Sequence, residues 1–351
     1  AVETVQGDYC VLNAAQWFPE RYNDSRYKVP ECIVIWGYDI AASCPDNVFG
    51  HWIIDLMKKG TKIIAIDPRL SWFASRAEKW IRLRPGTDGA LAMAFLNVII
   101  NEGLYDREFV EKWTNATHLV RGDTGKLLRE TDLVVGGSQG NFVAWDMVRG
   151  IPVVWDSDQV AYKSTDAKPA IEGEFEVNFL DGTMVPVKTV WTVFVEQVNE
   201  YPVERVSEIT WVPQKDIVEA ARLYAKSKPA AIHWGVPIDS TPAVTPTSQA
   251  IANLWCITGN LDVPGGNVIS RYAFDAVAYA LPGAKGVIKL DSKEVDLKRI
   301  GADRYGPLRE FIWRAQTDLT LEQIFSEDPY PIKGIWLQAC NIVAGTGMDP
   351  K

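Results

Sequence analysis

No stretch of this chain approaches the run of about 18 apolar residues that a membrane-spanning helix needs, so no segment is expected to cross a bilayer as a helix. Basic residues are the minority, 36 Lys and Arg against 45 Asp and Glu, and the net charge of −9 argues against the clustered positive surface of a nucleic-acid-binding protein. Histidine is scarce: His51, His118 and His233 are scattered along the chain. The five cysteines, Cys10, Cys32, Cys44, Cys256 and Cys340, lie far apart with no CxxC pair. That spacing excludes a disulfide framework, and it excludes a zinc or iron–sulfur ligand cluster built from these residues. The opening residues have neither a basic nor an apolar signal-peptide region, there is no initiator Met, and residues 346–351 stop in a Gly/Pro loop. The chain is therefore read as an internal segment of a longer protein, with any localisation signal outside it.

What is present is the composition of a globular protein, 47% apolar and 23% charged, long enough for one large or two medium domains. Residues 33–36 (IVIW) form a short β-branched run ending at Gly37, the pattern of a buried strand. Val48, Phe49, Trp52, Ile53, Leu56 and Met57 then recur at helical spacing, and Lys58, Lys59 and Gly60 supply a basic last turn and a stop. A second apolar strand, 62–66, ends at Asp67-Pro68-Arg69. This strand–helix–strand unit predicts a parallel sheet, and ligands of such sheets bind beyond the carboxyl ends of the strands. The loops 37–47 and 67–74 are accordingly the first candidates for a site.

Further along, residues 80–84 alternate apolar and basic side chains and lead into RPGTD at 84–88. Thr87 or Asp88 can cap a helix over 89–101, and another short helix is expected at 106–113. Residues 114–190, rich in Gly, Asp, Thr and Ser, read as a mainly β or irregular excursion with strand-like pieces at 142–145, 153–155 and 175–180. Helices are expected at 189–199, 213–226 and 247–257, with a strand over 230–234 that ends at Gly235. The later segment is loop-rich, with helices near 307–315 and 321–325 and a strand at 334–339. Cys32, Cys256 and Cys340 border or sit in apolar runs and are read as buried thiols. The expected fold is α/β, a doubly wound, mostly parallel sheet of Rossmann-like type. Residues 1–268 form the first domain, including the excursion at about 114–190, and 269–351 an incomplete part of a second α/β domain.

The strand and loop at 33–45, the segment 60–69 with its DPR end, RPGTD at 84–88 followed by EGLYD at 102–106, and TGNLDVPGG at 258–266 occur in that order. Together they resemble the molybdopterin oxidoreductase family, which includes dimethyl sulfoxide reductase, nitrate reductases and formate dehydrogenases. The resemblance spans most of the chain, and only 114–187 matches poorly. It implies a catalytic-subunit fragment carrying out two-electron redox, or related hydration or dehydroxylation, on a small substrate in anaerobic metabolism. The implied cofactor is bis-(molybdopterin guanine dinucleotide) with molybdenum or tungsten. A [4Fe-4S] cluster would come from residues preceding Ala1, and an electron-transfer iron–sulfur subunit is the implied partner.

The resemblance also assigns residues. Gly37, Tyr38, Asp39 and Pro45, then Asp67, Pro68 and Arg69, then Pro85, Gly86 and Asp88, and finally Trp234, Gly235 and Asn341 fall in cofactor-binding loops. Glycines at Gly37, Gly86 and Gly235 open backbone N–H groups to phosphate. Asp67 and Asp88 can accept from ribose or guanine, and Arg69 can pair with phosphate. Their structural alternatives are a turn for Asp67, a helix cap for Asp88 and loop exits for Gly37 and Gly235. Cys10 stands where the family places its metal ligand, and a thiolate suits such a centre; the alternative is an inert thiol. Asp8 beside it is a candidate ligand or acid/base group. Val11 follows Cys10 where formate dehydrogenases have a catalytic His, which counts against formate oxidation. His51 is read as packing or surface and His233 as a neighbour of the site. The first loop lacks the family's Asn-Pro, and Asn341 is followed by Ile342; both departures make the chain look similar to the acetylene hydratase and catechol dehydroxylase branch. A nucleotide-dependent Rossmann dehydrogenase, which would need the absent GxGxxG, and a non-catalytic subunit retaining the fold are the alternatives.

Overall fold

A computed structural model describes residues 28–43, 48–239, 243–267, 298, 300, 301, 303, 304, 317–328 and 330–336. The chain divides into two compact units, Ala1–Ser270 and Arg271–Lys351.

The first unit begins with strand β1 (Cys32–Trp36), helices α1 (Ile40–Ser43) and α2 (Val48–Lys58), strands β2 (Lys62–Ile66) and β3 (Lys79–Ile81), and helices α3 (Asp88–Asn101) and α4 (Arg107–Trp113). The excursion follows as β4 (Leu119–Arg121), β5 (Phe142–Asp146), β6 (Ile151–Asp156), β7 (Ala161–Tyr162), β8 (Glu174–Asn178) and β9 (Met184–Thr189). Helices α5 (Val190–Asn199), α6 (Val203–Thr210) and α7 (Gln214–Lys226), strand β10 (Ala230–Trp234), and helices α8 (Val236–Asp239) and α9 (Val244–Ile257) complete it.

The main sheet has the order β10-β1-β2-β3, with every pair parallel. β1 is central because its five residues are buried on both faces, and a continuous apolar run such as CIVIW tolerates no other place. On one face Val34, Trp36, Ile64 and Ile66 pack with Leu91 and Phe95 of α3, Tyr224 of α7 and Ile251 of α9. On the other, Ile33, Ile35, Ile63 and Ala65 pack with Ile53 and Leu56 of α2. Each fully buried Ile or Leu there contributes roughly 1.5–3 kcal/mol. The helix after β1 thus covers one face and the later helices the other, which makes the sheet doubly wound.

The excursion is more ordered than the sequence suggests. It holds two antiparallel three-stranded sheets, β4-β9-β8 and β5-β6-β7. The sheet β4-β9-β8 and the neighbouring Leu128 and Val143 share a core with Val177, Val185 and Val187. Strand β9 lies centrally although it contains Pro186. The carbonyl of Pro186 faces β4, where it accepts from Gly122 N, and the β4 ladder has already ended at Arg121 opposite Val187. The missing N–H therefore breaks no pair, a detail that a rule against Pro in central strands misses. Helix α6 was also not expected. Its Val, Ile and Thr content disfavours a helix locally, and burial of Val206 and Thr210 in the core outweighs that preference.

In the second unit α10 (Thr317–Ser326) extends the helix expected at 321–325. The strand expected at 334–339 is not seen over its described part. Residues 334–336 have no regular structure, with Ile335 55% and Trp336 88% exposed. The helix expected at 307–315 lies outside the described residues.

Candidate functional site at the sheet switch point

Strand β1 sends its chain through α2 to β2 on one side, while β10 lies on its other side. The carboxyl ends of β1 and β10 therefore flank the point where the winding of the sheet reverses, the place where open α/β sheets form a ligand crevice. Gly37 leaves β1 there with φ +60 and donates its N–H to Ile66 O at 2.8 Å. Gly235 leaves β10 there and donates to Trp36 O at 2.9 Å. A Cβ on Gly235 would sit 2.6 Å from Gly37 O and 2.8 Å from Tyr38 Cβ, so the two loops can approach this closely only with glycine at that position. Tyr38 stacks on His233, with ring centroids 4.8 Å apart and planes at 9°. Burial pushes the His233 pKa down to about 3, which keeps the imidazole neutral. Trp234, also buried, stacks on Trp255 of α9 at 5.3 Å.

The second loop closes on the first. Asp39 Oδ2 pairs with the Arg69 guanidinium at 3.5 Å, joining two residues 30 positions apart in the sequence. Asp39 Oδ1 is buried and has no hydrogen-bond partner among the described residues. The Arg69 side chain is 73% exposed. Asp67 is buried and its Oδ1 accepts from Arg69 N at 2.7 Å, an Asx turn around Pro68, while its carbonyl accepts from the Trp80 indole at 2.9 Å.

At the end of β3 the RPGTD loop folds as a tight turn. Gly86 has φ +82, and Thr87 N and Oγ1 both donate to Arg84 O. Asp88 is the first residue of α3 and is buried. Its Oδ1 accepts from the Trp36 indole N–H at 2.8 Å, across 52 positions of sequence. Burial raises the Asp88 pKa; hydrogen bonds from Trp36 and from the backbone at Asp88 and Gly86 oppose that rise. Asp88 thus ties the RPGTD turn to the end of β1, and much of its accepting capacity is spent within the protein.

The structure therefore brings Gly37, Tyr38, Asp39, Asp67, Pro68, Arg69, Trp234 and Gly235 to the ends of three adjacent strands, with Pro85, Gly86 and Asp88 following the fourth. Asp8, Cys10, Pro45 and Asn341 lie outside the described residues. No cluster of three or more His, Cys, Asp or Glu able to hold a metal occurs among the described residues. Sequence reasoning treated Trp36 only as a core residue, and nothing local announces its bond to Asp88. It likewise gave no role to Asn260 and Asn267, whose buried side chains bind the backbone of β10. The glycines beside them were the available signal.

The doubly wound sheet with a crevice at its switch point is the architecture of a ligand-binding α/β protein. The family model for molybdopterin oxidoreductases matches residues 3–321, and the chain belongs to that family, whose enzymes use a molybdopterin cofactor. Among curated relatives, perchlorate reductase subunit alpha of Dechloromonas aromatica (strain RCB) is 35% identical over 257 residues, covering 66% of this chain and 26% of that one. Dopamine dehydroxylase of Eggerthella lenta is 28% identical over an alignment of 402 positions, covering 90% of this chain and 39% of that protein. A solved structure, acetylene hydratase from Pelobacter acetylenicus, superposes with a TM-score of 0.53 at 21% identity over 94% of this chain and 36% of that chain, a likeness of fold. The chain thus spans between a quarter and two fifths of the length of these relatives. Several relatives are named as alpha or A subunits, that is, as parts of multi-subunit enzymes. No described helix is long and apolar enough to cross a membrane.

Proposed function

We propose that this chain belongs to the catalytic subunit of a bis-(molybdopterin guanine dinucleotide) enzyme with molybdenum or tungsten, acting on a small substrate in anaerobic metabolism. In this reading the switch-point crevice holds one guanosine diphosphate arm. The observation that carries it is the presence together, at glycine-lined strand ends, of a buried Asp39 Oδ1 with no hydrogen-bond partner among the described residues and an exposed Arg69 guanidinium that pairs with Oδ2 of the same carboxylate. A buried acceptor without a donor is unfavourable by about 1–3 kcal/mol, and a ribose hydroxyl or guanine N–H relieves that penalty. Arg69 supplies the charge for a phosphate, and the backbone N–H groups beyond Gly37 and Gly235 supply neutral donors. The residues present therefore fit the group.

The division of labour follows from these positions. Asp39, Arg69 and the glycines bind and orient the nucleotide arm. The neutral His233 supports Tyr38 without adding charge beside the phosphates. Cys10 would ligate the metal as a thiolate, and Asp8, two positions before it in the sequence, would serve as a further ligand or as an acid/base group. When bound, the centre supplies two-electron exchange between hexavalent and tetravalent metal. An iron–sulfur cluster, for which these 351 residues carry no cysteine set, and an iron–sulfur partner subunit complete the electron path. The test is nucleotide and pterin release from denatured full-length Asp39→Ala and Arg69→Ala proteins. Cofactor content well below wild type at unchanged folding supports the crevice assignment; wild-type content in either rejects it.

A further inference from the structure

We infer that Asn260 and Asn267, the two asparagines of the TGNLDVPGGN segment at 258–267, are positioning residues for the crevice that act through β10; this rests on the assignment of the crevice to the cofactor. β10 is the outer strand of its sheet among the described residues, yet all five of its residues are buried. A bare outer strand leaves every second N–H and C=O without a partner. Here the Ala230 N–H donates to Asn260 Oδ1 at 3.0 Å, and the Ile232 N–H donates to Asn267 Oδ1 at 2.9 Å. Asn267 Nδ2 donates back to Ile232 O at 3.0 Å. One side-chain amide thus pairs with Ile232 as a neighbouring strand would, giving a donor and taking one.

The clamp is itself locked. Asn260 Nδ2 donates to Thr258 Oγ1 at 2.9 Å, and Asn267 N donates to Asn260 O at 2.8 Å. Asn260 is fully buried and Asn267 is 2% exposed. The glycines make the geometry possible: Gly265 has φ +84, and a Cβ on Gly266 would fall 2.3 Å from Asn260 O. These contacts account for Thr258, Asn260, Gly265, Gly266 and Asn267 of the motif without placing any of them on a ligand.

Edge protection alone would explain a capped strand. The position of the strand points further. Among the described residues β10 pairs with β1 on one side only, and its carboxyl end carries Trp234 and Gly235, which backs onto Gly37 O. A strand with one partner is held in register by half the usual bonds, and a slip of one residue exchanges the faces of His233 and Trp234. Asn260 and Asn267 supply three bonds on the other side, to the N–H of Ala230 and to the N–H and C=O of Ile232. They set where Gly235 meets Gly37, and so the width of the crevice.

The experiment uses the full-length protein. Asn267→Ala, and Asn267→Asp, which keeps the acceptor for Ile232 N–H and loses the donor to Ile232 O, are compared with Val187→Ala or Val185→Ala in the excursion core, whichever matches their loss of Tm. The Asn267→Ala protein is expected to retain about tenfold less pterin, the equivalent of roughly one buried hydrogen bond. Asn267→Asp should fall in between, and the matched core variant should stay near wild type. Amide exchange at Ile232 and Trp234 should accelerate in the Asn267 variants alone. If Asn267→Ala does not fold, Asn267→Asp with Asn260→Ser carries the same comparison. Pterin content that follows Tm equally in clamp and core variants, or clamp variants with wild-type pterin, overturns the inference. An Arg69→Ala protein measured alongside separates the two claims: wild-type pterin in Arg69→Ala means that the crevice assignment has failed.

Discussion

Replacing Gly235 by alanine adds one methyl group at the narrowest point between the β1 and β10 loops. The new carbon would lie 2.6 Å from Gly37 O and 2.8 Å from Tyr38 Cβ, against ordinary contacts of about 3.4 Å or more. Both neighbours are backbone or attached directly to it, so neither can rotate away, and the loops must part by several tenths of an ångström. Overpacking of this kind costs about 1–3 kcal/mol, a loss of roughly 2–8 °C in Tm for a domain of this size. Gly182→Ala is the control. Gly182 has φ +84 in the β8–β9 turn and nothing within 4 Å of an added Cβ, so it meets only the left-handed backbone penalty of about 1–2 kcal/mol. The two variants should therefore lose comparable stability. Thermal unfolding and pterin release from full-length protein should show Gly235→Ala depleted of cofactor and Gly182→Ala replete. Equal cofactor in the two, at similar Tm, would refute the claim that the loop separation sets binding.

Burial holds the His118 pKa near 4, with Arg129 adding to the shift, while the unfolded value is about 6.5. A depressed histidine pKa means that the unfolded state takes up the proton first, so stability is full above pH 6.5 and lost as pH falls toward 4. The His118 contribution between pH 7 and 5 is about 2 kcal/mol, and His118→Phe should remove that part of the pH dependence in urea titrations; an unchanged slope would contradict it. Asp67→Ala deletes the acceptor for Arg69 N, and should lower both Tm and cofactor content, with about 1 kcal/mol from the lost turn bond; cofactor content at wild-type level would leave Asp67 a turn residue only. Cys10→Ala in the full-length enzyme should abolish turnover while the pterins stay bound, and X-ray absorption should count one fewer sulfur at the metal. An unchanged sulfur count with intact activity would move the ligand elsewhere.

The parallel sheet was legible because its strands are buried on both faces. CIVIW, KIIAI and AAIHW are short, largely apolar runs ended by Gly or Asp. The loops 37–47 and 67–74 followed from topology, and the family resemblance named Gly37, Asp39, Asp67, Arg69 and Gly235 before their separation in space was known. What stayed hidden depends on long-range pairing. The ion pair of Asp39 with Arg69 and the bond from Trp36 to Asp88 join residues whose neighbours in sequence carry no trace of the partner. Pro186 in a central strand and the β-branched helix α6 are cases where tertiary packing overrides local preference. The apolar run at 334–336 shows the converse, a good strand pattern left exposed and irregular.

The proposed seat of one guanosine diphosphate arm in the switch-point crevice can be tested by cofactor analysis of the whole protein. The full-length protein, purified without oxygen, is denatured and assayed for molybdenum, tungsten, oxidised pterin and released guanosine monophosphate, beside the Arg69→Ala variant. The account predicts one metal with two pterins and two guanosine monophosphates per wild-type subunit, and a clear loss of all three from Arg69→Ala. Pterin without guanosine monophosphate, or an Arg69→Ala protein as fully loaded as wild type, would contradict it.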